Sequence, residues 1–289
     1  MMVRWMLAAL GSALTLCPVM LEAAPGTKDN STIGGQDSAT YDALMHLAAS
    51  PHRTPMQRAH DHDRHPIETL TFFGIKKNMT VLDASPDSNG WYTELLAPLL
   101  RDQGQYVAAL WDAKSDSPYE RAALQTFKAK LAARPDLYSK VSVVALQSPH
   151  SLHPVKPRTV DLVVSIQALH LWLLHDTAPA MLGALYTALK PGGLLGLVDN
   201  RADPLSPTDA HAKLGYVNEA YAIDLIKSVG FEFLEASDVN SNPKDARDYD
   251  QGVWALPPTY RMGDKDRSKY TEIGESDRFT LKFRKPSAR

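Results

Sequence analysis

Two aspartates that follow apolar, β-rich segments are the residues of this sequence best suited to bind a ligand. Asp83 lies at the end of the segment 80–84, and Asp112 directly follows the segment 106–111. In sheets that bind nucleotides, a carboxylate at the end of a strand can accept two hydrogen bonds from ribose hydroxyls. The turn after the first strand, residues 85–90, should lie close to the same ligand.

The elements that position these residues alternate along the chain. Apolar segments such as 161–165 are typical of strands buried on both faces, and their alternation with helices predicts a parallel sheet. The sequence thus predicts an α/β fold: a doubly wound, mostly parallel, seven-stranded sheet with helices on both faces. The predicted strands are 80–84, 106–111, 141–146, 160–166, 194–198, 231–236 and 278–283, and the predicted helices between them are 91–100, 119–133, 177–189 and 218–229.

The turn Leu189-Lys-Pro-Gly-Gly193, which precedes a strand, resembles the turn before the fifth strand of class I S-adenosylmethionine-dependent methyltransferases. The strand with Asp83 resembles their first motif, and Asp112 matches their ribose-binding acid. The resemblance implies a Rossmann-like fold and S-adenosylmethionine as cofactor. It further implies that Ser85, Asp87, Asn89 and Gly90 contact the methionine part of that cofactor.

A narrower resemblance links residues 56–286 to a family of exported bacterial predicted methyltransferases. It implies methyl transfer to a small molecule or an envelope component. The motifs that carry it are Arg64-His-Pro-Ile-Glu-Thr-Leu, Gly90-Trp-Tyr-Thr-Glu94, Val198-Asp-Asn-Arg-Ala202, Gly252-Val-Trp, Gly263-Asp-Lys-Asp-Arg267 and Ile273-Gly-Glu-Ser-Asp-Arg278.

The loop after the first strand departs from the glycine-rich pattern of methyltransferases. Glycines in such a loop allow the backbone to approach the cofactor closely and to adopt a positive φ. This loop has only one glycine, Gly90. Asn89 tolerates a positive φ, but its side chain occupies space. Asp87 adds negative charge near the expected cofactor carboxylate, unless a cation or amide donors offset it. The alternative function is therefore a non-catalytic ligand-binding protein on a methyltransferase scaffold.

Substrate-side residues are expected after the fourth and fifth strands. His170 is the best candidate for a general base, because a neutral histidine can take a proton from the methyl acceptor. Trp172, Asp199 and Arg201 are expected beside it. The alternative is that these side chains pack under the following helix.

The segment 238–276 connects the last two strands and is longer than this sheet requires. Its aromatic residues and its position at the ligand side of the sheet predict a lid over the cofactor crevice. The candidates to face the ligand are Trp254, Tyr260, Arg261 and Arg267.

The N-terminus is typical of a secretory signal peptide. Arg4 precedes an apolar stretch, 5–21, which ends before Ala23 and Ala24. We expect a signal peptide over 1–24, a linker and helix over 25–55, and a methyltransferase-like domain over 56–289. The expected location is periplasmic or secreted; an uncleaved membrane anchor is the alternative.

Composition and the remaining motifs exclude several functions. The formal net charge of −2 in 289 residues implies no broad basic surface, so we expect no nucleic acid partner. We also expect no membrane association after signal removal, and a small molecule as the partner. His60, His62 and His65 could bind a metal, but a solvated helix start explains them as well, so no metal is expected. Hydrolase and phosphate-binding loop motifs are absent.

Overall fold

A computed structural model describes residues 37–147, 151–153 and 155–287. Within these ranges the chain forms helices and a single sheet. The helices are α1 (Ser38–Ala49), α2 (Pro55–Ala59), α3 (Asp61–Arg64), α4 (Pro66–Phe72), α5 (Thr93–Leu100), α6 (Pro118–Ala133), α7 (Pro135–Tyr138), α8 (Leu169–Leu174), α9 (Ala178–Ala188), α10 (Glu219–Ser228) and α11 (Arg267–Ile273). The strands are β1 (Thr80–Ala84), β2 (Gln105–Leu110), β3 (Ser142–Gln147), β4 (Ser151–His153), β5 (Val160–Ile166), β6 (Leu189–Asn200), β7 (Glu232–Ser237) and β8 (Arg278–Arg284).

The sheet order is β4-β3-β2-β1-β5-β6-β8-β7, which confirms the predicted doubly wound α/β fold. Strands β1, β2, β3, β5 and β6 pair in parallel, and β8 is inserted antiparallel between β6 and β7. The short β4 extends the predicted seven strands to eight, pairing antiparallel with β3. The chain winds outward in both directions from β1 and β5, so the crevice between their carboxyl ends is the expected ligand site.

Apolar side chains on the two faces of the sheet form two cores. One core packs α8, α9 and α10 against one face, and the other packs α1, α4 and α5 against the opposite face. Gly196 of β6 is required for this packing, because a Cβ there would lie 2.3 Å from the Phe73 ring. The continuous apolar strands predicted from the sequence therefore reflect burial on both faces.

The segment 238–276 has its own packing. It contains a short 3₁₀ helix, Gly252–Ala255, followed by α11. Tyr249 and Tyr270 meet edge to face, with ring centroids 5.5 Å apart, and form a small apolar cluster with Leu256. The segment therefore has an apolar cluster of its own, and hydrogen bonds such as those from Asn240 to Thr69 and Thr280 tie it to the rest of the chain.

The predicted signal peptide, residues 1–24, and the start of the predicted linker lie outside the described residues. In the part of the chain that the structure describes, no helix is both long and apolar enough to cross a membrane.

Candidate functional site

A cavity of about 840 Å³ opens at the carboxyl ends of the central strands. Residues after β1, β2 and β5 line it, as the strand order requires. Five of the residues predicted from the sequence are in this lining, namely Asp83, Ser85, Asp87, Asp112 and Trp172. The structure thus brings together predicted site residues that follow three separate strands, β1, β2 and β5.

The loop 85–90 is built around two residues with positive φ. Ser85 has a φ of 63° and Gly90 has a φ of 58°. A Cβ at Gly90 would lie 2.9 Å from the Phe127 ring, so a glycine is required there. Asn89 and Gly90 shape the loop but are not in the cavity lining.

The carboxylate of Asp87 is partly neutralised by backbone amides. Its Oδ1 accepts a hydrogen bond from the Asn89 amide at 2.6 Å, and its Oδ2 accepts one from Trp91 at 3.4 Å. The guanidinium of Arg64 also interacts electrostatically with this carboxylate. The negative charge that Asp87 adds to the loop is therefore offset within the protein.

Asp83 is buried beneath the loop, with 2% of its surface exposed. The hydroxyl of Tyr106 donates to its Oδ2 at 2.8 Å. Burial raises the pKa of Asp83 to about 7, against the opposing effect of the Tyr106 hydrogen bond, and the nearby Asp87 charge raises it further. Asp83 therefore changes its charge near neutral pH.

Asp112 lies in the turn after β2, where it lines the cavity and is half-buried. Its Oδ1 accepts a hydrogen bond from the Lys114 amide at 2.8 Å, which fixes the carboxylate in the turn. Beside it, Trp111 and Tyr119 meet edge to face with ring centroids 6.2 Å apart. A carboxylate next to aromatic side chains suits a nucleoside, whose ribose donates hydrogen bonds and whose base stacks.

One part of the cavity wall is formed by Arg64, Tyr92, Asn240 and Arg278. Of these, Tyr92, Asn240 and Arg278 were not predicted to bind a ligand. The side chain of Glu275 joins the two arginines. Arg64 donates to it from Nε and Nη2 at 2.9–3.0 Å, and Arg278 donates from Nη2. Two of the sequence motifs could have indicated this contact. The motif that begins with Arg64 and the motif that ends with Arg278 meet at Glu275.

Glu275 is charged in this wall despite its burial. Burial alone would raise its pKa, but Arg278, His60 and Arg64 hold the pKa of Glu275 well below its usual range. His60 contributes through its Nδ1, which lies 2.8 Å from Oε1 of Glu275. The described residues contain no group of histidine, cysteine and acidic side chains arranged to hold a metal ion.

His170 is buried in α8 and is not in the cavity lining. Its Nδ1 lies 2.7 Å from Oδ1 of Asp199, and its backbone amide donates to Oδ2 at 3.1 Å. Asp199 is fully buried at the end of β6. The role of His170 as a general base stays a prediction, and its absence from the cavity lining does not support that role. Trp172, two residues further along α8, is in the lining.

The remaining predicted substrate-side residues also lie outside the lining. Arg201 pairs with Glu219 at 3.1 Å and with Asp238 at 3.0 Å. In the segment 238–276, Arg261 stacks on Trp254 and Arg267 stacks on Tyr260, with distances of 4.5 and 3.9 Å from guanidinium carbon to ring centroid. The ring centroid of Trp254 lies 6.3 Å from that of His170. Their roles toward a ligand stay predictions.

Known proteins resemble this chain in structure but not in sequence. No protein family and no curated protein matches its sequence. An S-adenosylmethionine-dependent methyltransferase from Aquifex aeolicus matches with a TM-score of 0.52 and 14% identity, over 85% of this chain and 98% of that one. The chain has the fold of the class I methyltransferases.

Two further solved structures share this fold. Geranyl diphosphate methyltransferase in complex with S-adenosylmethionine has a TM-score of 0.50 and 12% identity, over 87% of this chain and 96% of its own. The [4+2]-cyclase SpnF has a TM-score of 0.54 and 18% identity, over 88% of this chain and 96% of its own. Because these identities are low, the likeness establishes the fold alone.

Proposed function

We propose that the protein transfers a methyl group from S-adenosylmethionine to a small molecule. The observation that carries the proposal is the cavity at the switch point of a methyltransferase fold, with Asp83 and Asp112 at the ends of the adjacent strands β1 and β2. A carboxylate in the position of Asp112 suits the two hydroxyls of a ribose.

The residues present fit the cofactor. Asp112 would hold the ribose, the aromatic wall of Trp111 and Tyr119 would contact the adenine, and the loop 85–90 would contact the methionine part. The carboxylate of Asp87 would not repel that part strongly, because two amides and Arg64 offset its charge. When bound, S-adenosylmethionine supplies a methyl group on a positively charged sulfur.

The contribution of this chain is mainly positioning, which accounts for much of the acceleration in group transfer. Trp172 and Tyr92, both in the lining and buried, would exclude water from the reacting groups. Asp83, when ionised, would place a negative charge near the cationic end of the cofactor. We assign no general base, since His170 is outside the lining.

The proposed location of this activity is the periplasm, on the basis of the signal peptide expected from the sequence. The acceptor would then be a small molecule of that compartment or a component of the envelope.

Non-catalytic binding is the second candidate function. Its specific support is that the predicted base, His170, is paired to Asp199 and absent from the lining. The resemblance to a [4+2]-cyclase also illustrates that this fold hosts other activities.

Calorimetry of the purified protein with S-adenosylmethionine and S-adenosylhomocysteine tests the proposal. We expect dissociation constants in the micromolar range, about −8 kcal/mol, and none measurable for NAD, an adenosine nucleotide without the amino acid part. Absence of binding, or equal binding of NAD, would refute it. If S-adenosylmethionine binds but S-adenosylhomocysteine never accumulates in the presence of envelope extract, the non-catalytic function is favoured.

A further inference from the structure

The guanidinium of Arg64 is fixed beside the loop 85–90. Its Nε and Nη2 donate to the carboxylate of Glu275 at 2.9–3.0 Å. Its Cζ lies over the Trp91 ring, 4.8 Å from the ring centroid. Trp91 directly follows the loop, and Arg64 lines the same cavity as the loop residues Ser85 and Asp87. The position of this guanidinium is therefore set by contacts within the protein.

The third nitrogen of this guanidinium, Nη1, is left for a ligand. Among the described residues none accepts a hydrogen bond from it, and it is not one of the buried polar atoms that lack a partner. The side chain of Arg64 keeps 14% of its surface accessible. Nη1 can therefore donate to a molecule in the cavity that Arg64 lines.

The other arginine among the described lining residues is more fully engaged. Arg278 donates from Nη2 to Glu275 and from Nη1 to the backbone carbonyl of Asp63 at 3.4 Å. Its side chain is only 3% exposed. Of the two arginines, Arg64 is therefore better placed to meet an anionic group of a ligand.

The loop beside Arg64 carries negative charge. Asp83, which precedes the loop, and Asp87 within it both line the cavity. These carboxylates would repel an anionic ligand group unless a cation lay beside it. An α-amino acid carries an ammonium and a carboxylate together, so it suits a site in which acids and an arginine are neighbours. The methionine part of S-adenosylmethionine has this pair of charges.

We infer that Nη1 of Arg64 binds the α-carboxylate of the cofactor and makes the site selective for a nucleoside that carries an amino acid. The inference rests on the proposed function, because it takes the loop 85–90 to face the methionine part. The ammonium group of that part lies toward the carboxylate of Asp87. Arg64 thereby contributes to the choice of cofactor from α3, outside the strand ends that bind the nucleoside.

Three adenosine ligands separate the charges of the amino acid part. S-adenosylhomocysteine carries both charges, S-adenosyl-3-thiopropylamine keeps the ammonium but lacks the carboxylate, and 5′-methylthioadenosine lacks both. Calorimetry of the wild-type protein should show S-adenosylhomocysteine binding about tenfold or more tightly than the amine, because a charge-assisted hydrogen bond is lost with the carboxylate. Equal binding of these two ligands would overturn the inference.

The change Arg64→Gln assigns the preference to Arg64. The preference for S-adenosylhomocysteine over the amine should fall to about onefold, and 5′-methylthioadenosine should bind within about twofold of wild type. Arg58→Gln is the control: Arg58 is a half-buried arginine of α2 outside the lining, and its variant should keep the preference.

A double variant serves if Arg64→Gln does not fold because Glu275 loses a partner. Arg64→Gln combined with Glu275→Gln leaves no buried carboxylate uncompensated, and glutamine at position 275 can still accept a hydrogen bond from Arg278. This variant should show the same loss of preference as Arg64→Gln.

The outcomes separate this inference from the proposed function. A preference that persists in the folded Arg64 variants would mean that another group holds the carboxylate. Equal weakening of all three ligands would mean that Arg64 only supports the shape of the cavity. Either result overturns the inference alone. Failure of the wild type to bind any of the three ligands would overturn the proposed function, and the inference with it.

Discussion

At the scale of single residues, Asp83 and Asp112 share a position at the ends of neighbouring strands but differ in burial. Asp83 is buried and accepts a hydrogen bond from Tyr106, whereas Asp112 is half-buried and its carboxylate accepts one from the Lys114 amide. The same residue type therefore serves two tasks. Asp83 responds to pH, and Asp112 is the residue that we propose to bind the ribose of a ligand.

The change Asp112→Asn should weaken the binding of S-adenosylhomocysteine about ten- to hundredfold, because charge-assisted hydrogen bonds are worth about 1.5–3 kcal/mol. Asparagine keeps an acceptor for the Lys114 amide, so the melting temperature should barely change. Asp112→Ala, which also loses that acceptor, is the companion variant. Calorimetry and thermal unfolding measure both effects, and unchanged affinity in both variants would remove Asp112 from the site.

The change Asp83→Asn should alter how stability depends on pH. The pKa of Asp83 is raised from 3.8 to about 7 in the folded protein, so its contribution to stability is present below pH 4 and is lost as pH rises to 7. Asparagine does not ionise, so the variant does not lose stability in this way as pH rises. Its free energy of unfolding relative to wild type should increase by up to about 4 kcal/mol between pH 4 and 7, at about 1.4 kcal/mol per pKa unit. Urea unfolding at several pH values measures this, and a pH-independent difference would contradict it.

The residues that we propose to bind the cofactor could be placed at the cavity from the sequence because they follow strands. Asp83, Ser85, Asp87 and Asp112 required only the strand pattern and the rule that ligands bind at carboxyl ends. The positions of Arg64, Asn240 and Arg278 in the cavity wall were not predictable in this way. Arg64 and Arg278 meet only through tertiary contacts with Glu275, and Asn240 gains its position from hydrogen bonds to Thr69 and Thr280.

At the scale of elements, Glu275 joins three parts of the chain. It follows α11, pairs with Arg64 at the end of α3, and pairs with Arg278 at the start of β8. The N-terminal helices are thereby connected to the segment 238–276 beside the cavity. Since these charges are buried, removing one partner leaves the others uncompensated.

The change Glu275→Gln should lower the free energy of unfolding at pH 7 by about 3–5 kcal/mol. The pKa of Glu275 is depressed in the folded protein, so its stabilisation is present above its usual pKa of 4.5 and is lost as pH falls below it. The difference in the free energy of unfolding between wild type and variant should therefore become smaller at acidic pH. Glu272→Gln, an exposed acid of α11, is the control and should have little effect at any pH. Equal deficits at pH 3 and pH 7 would contradict the assigned role.

Hydrogen exchange tests whether the segment 238–276 closes over the cavity, as the sequence predicts. Its aromatic residues pack on one another outside the cavity, and among them none lines it. S-adenosylhomocysteine should therefore slow exchange in the loop 85–90 and around Asp112, and leave residues 250–262 unchanged. Slower exchange over 250–270 would instead support the lid expected from the sequence.

Most strands and the longer helices were predicted from the sequence, and the differences in their bounds have physical reasons. The segment 160–166 was predicted with its observed bounds because its apolar run is continuous. Strand β6 begins earlier than predicted, at Leu189, since the Lys-Pro-Gly-Gly turn pairs with β5 through a bulge. The short β4 and α8 were missed because so few residues carry no recognisable periodicity.

At the scale of the whole molecule, the expected signal peptide determines where the protein acts. Mass spectrometry of protein isolated from its native host should find a mature N-terminus near Ala24 or Pro25, because the apolar stretch ends before a pair of alanines. Intact Met1 in a cytoplasmic fraction would contradict export and move the proposed acceptor to another compartment.

The account as a whole depends on which molecule occupies the cavity. The fold is shared with methyltransferases and with a [4+2]-cyclase, so the fold leaves the activity open. The residues of the cavity make a specific proposal instead: a nucleoside at Asp112, with an amino acid part along the loop 85–90.

A crystal structure of the protein grown with S-adenosylhomocysteine tests this central claim most directly. We predict that the ligand lies in the cavity with both ribose hydroxyls within hydrogen-bond distance of the Asp112 carboxylate and its amino acid part along the loop 85–90. A cavity that remains empty at saturating ligand, or a ligand whose ribose lies away from Asp112, would contradict the account.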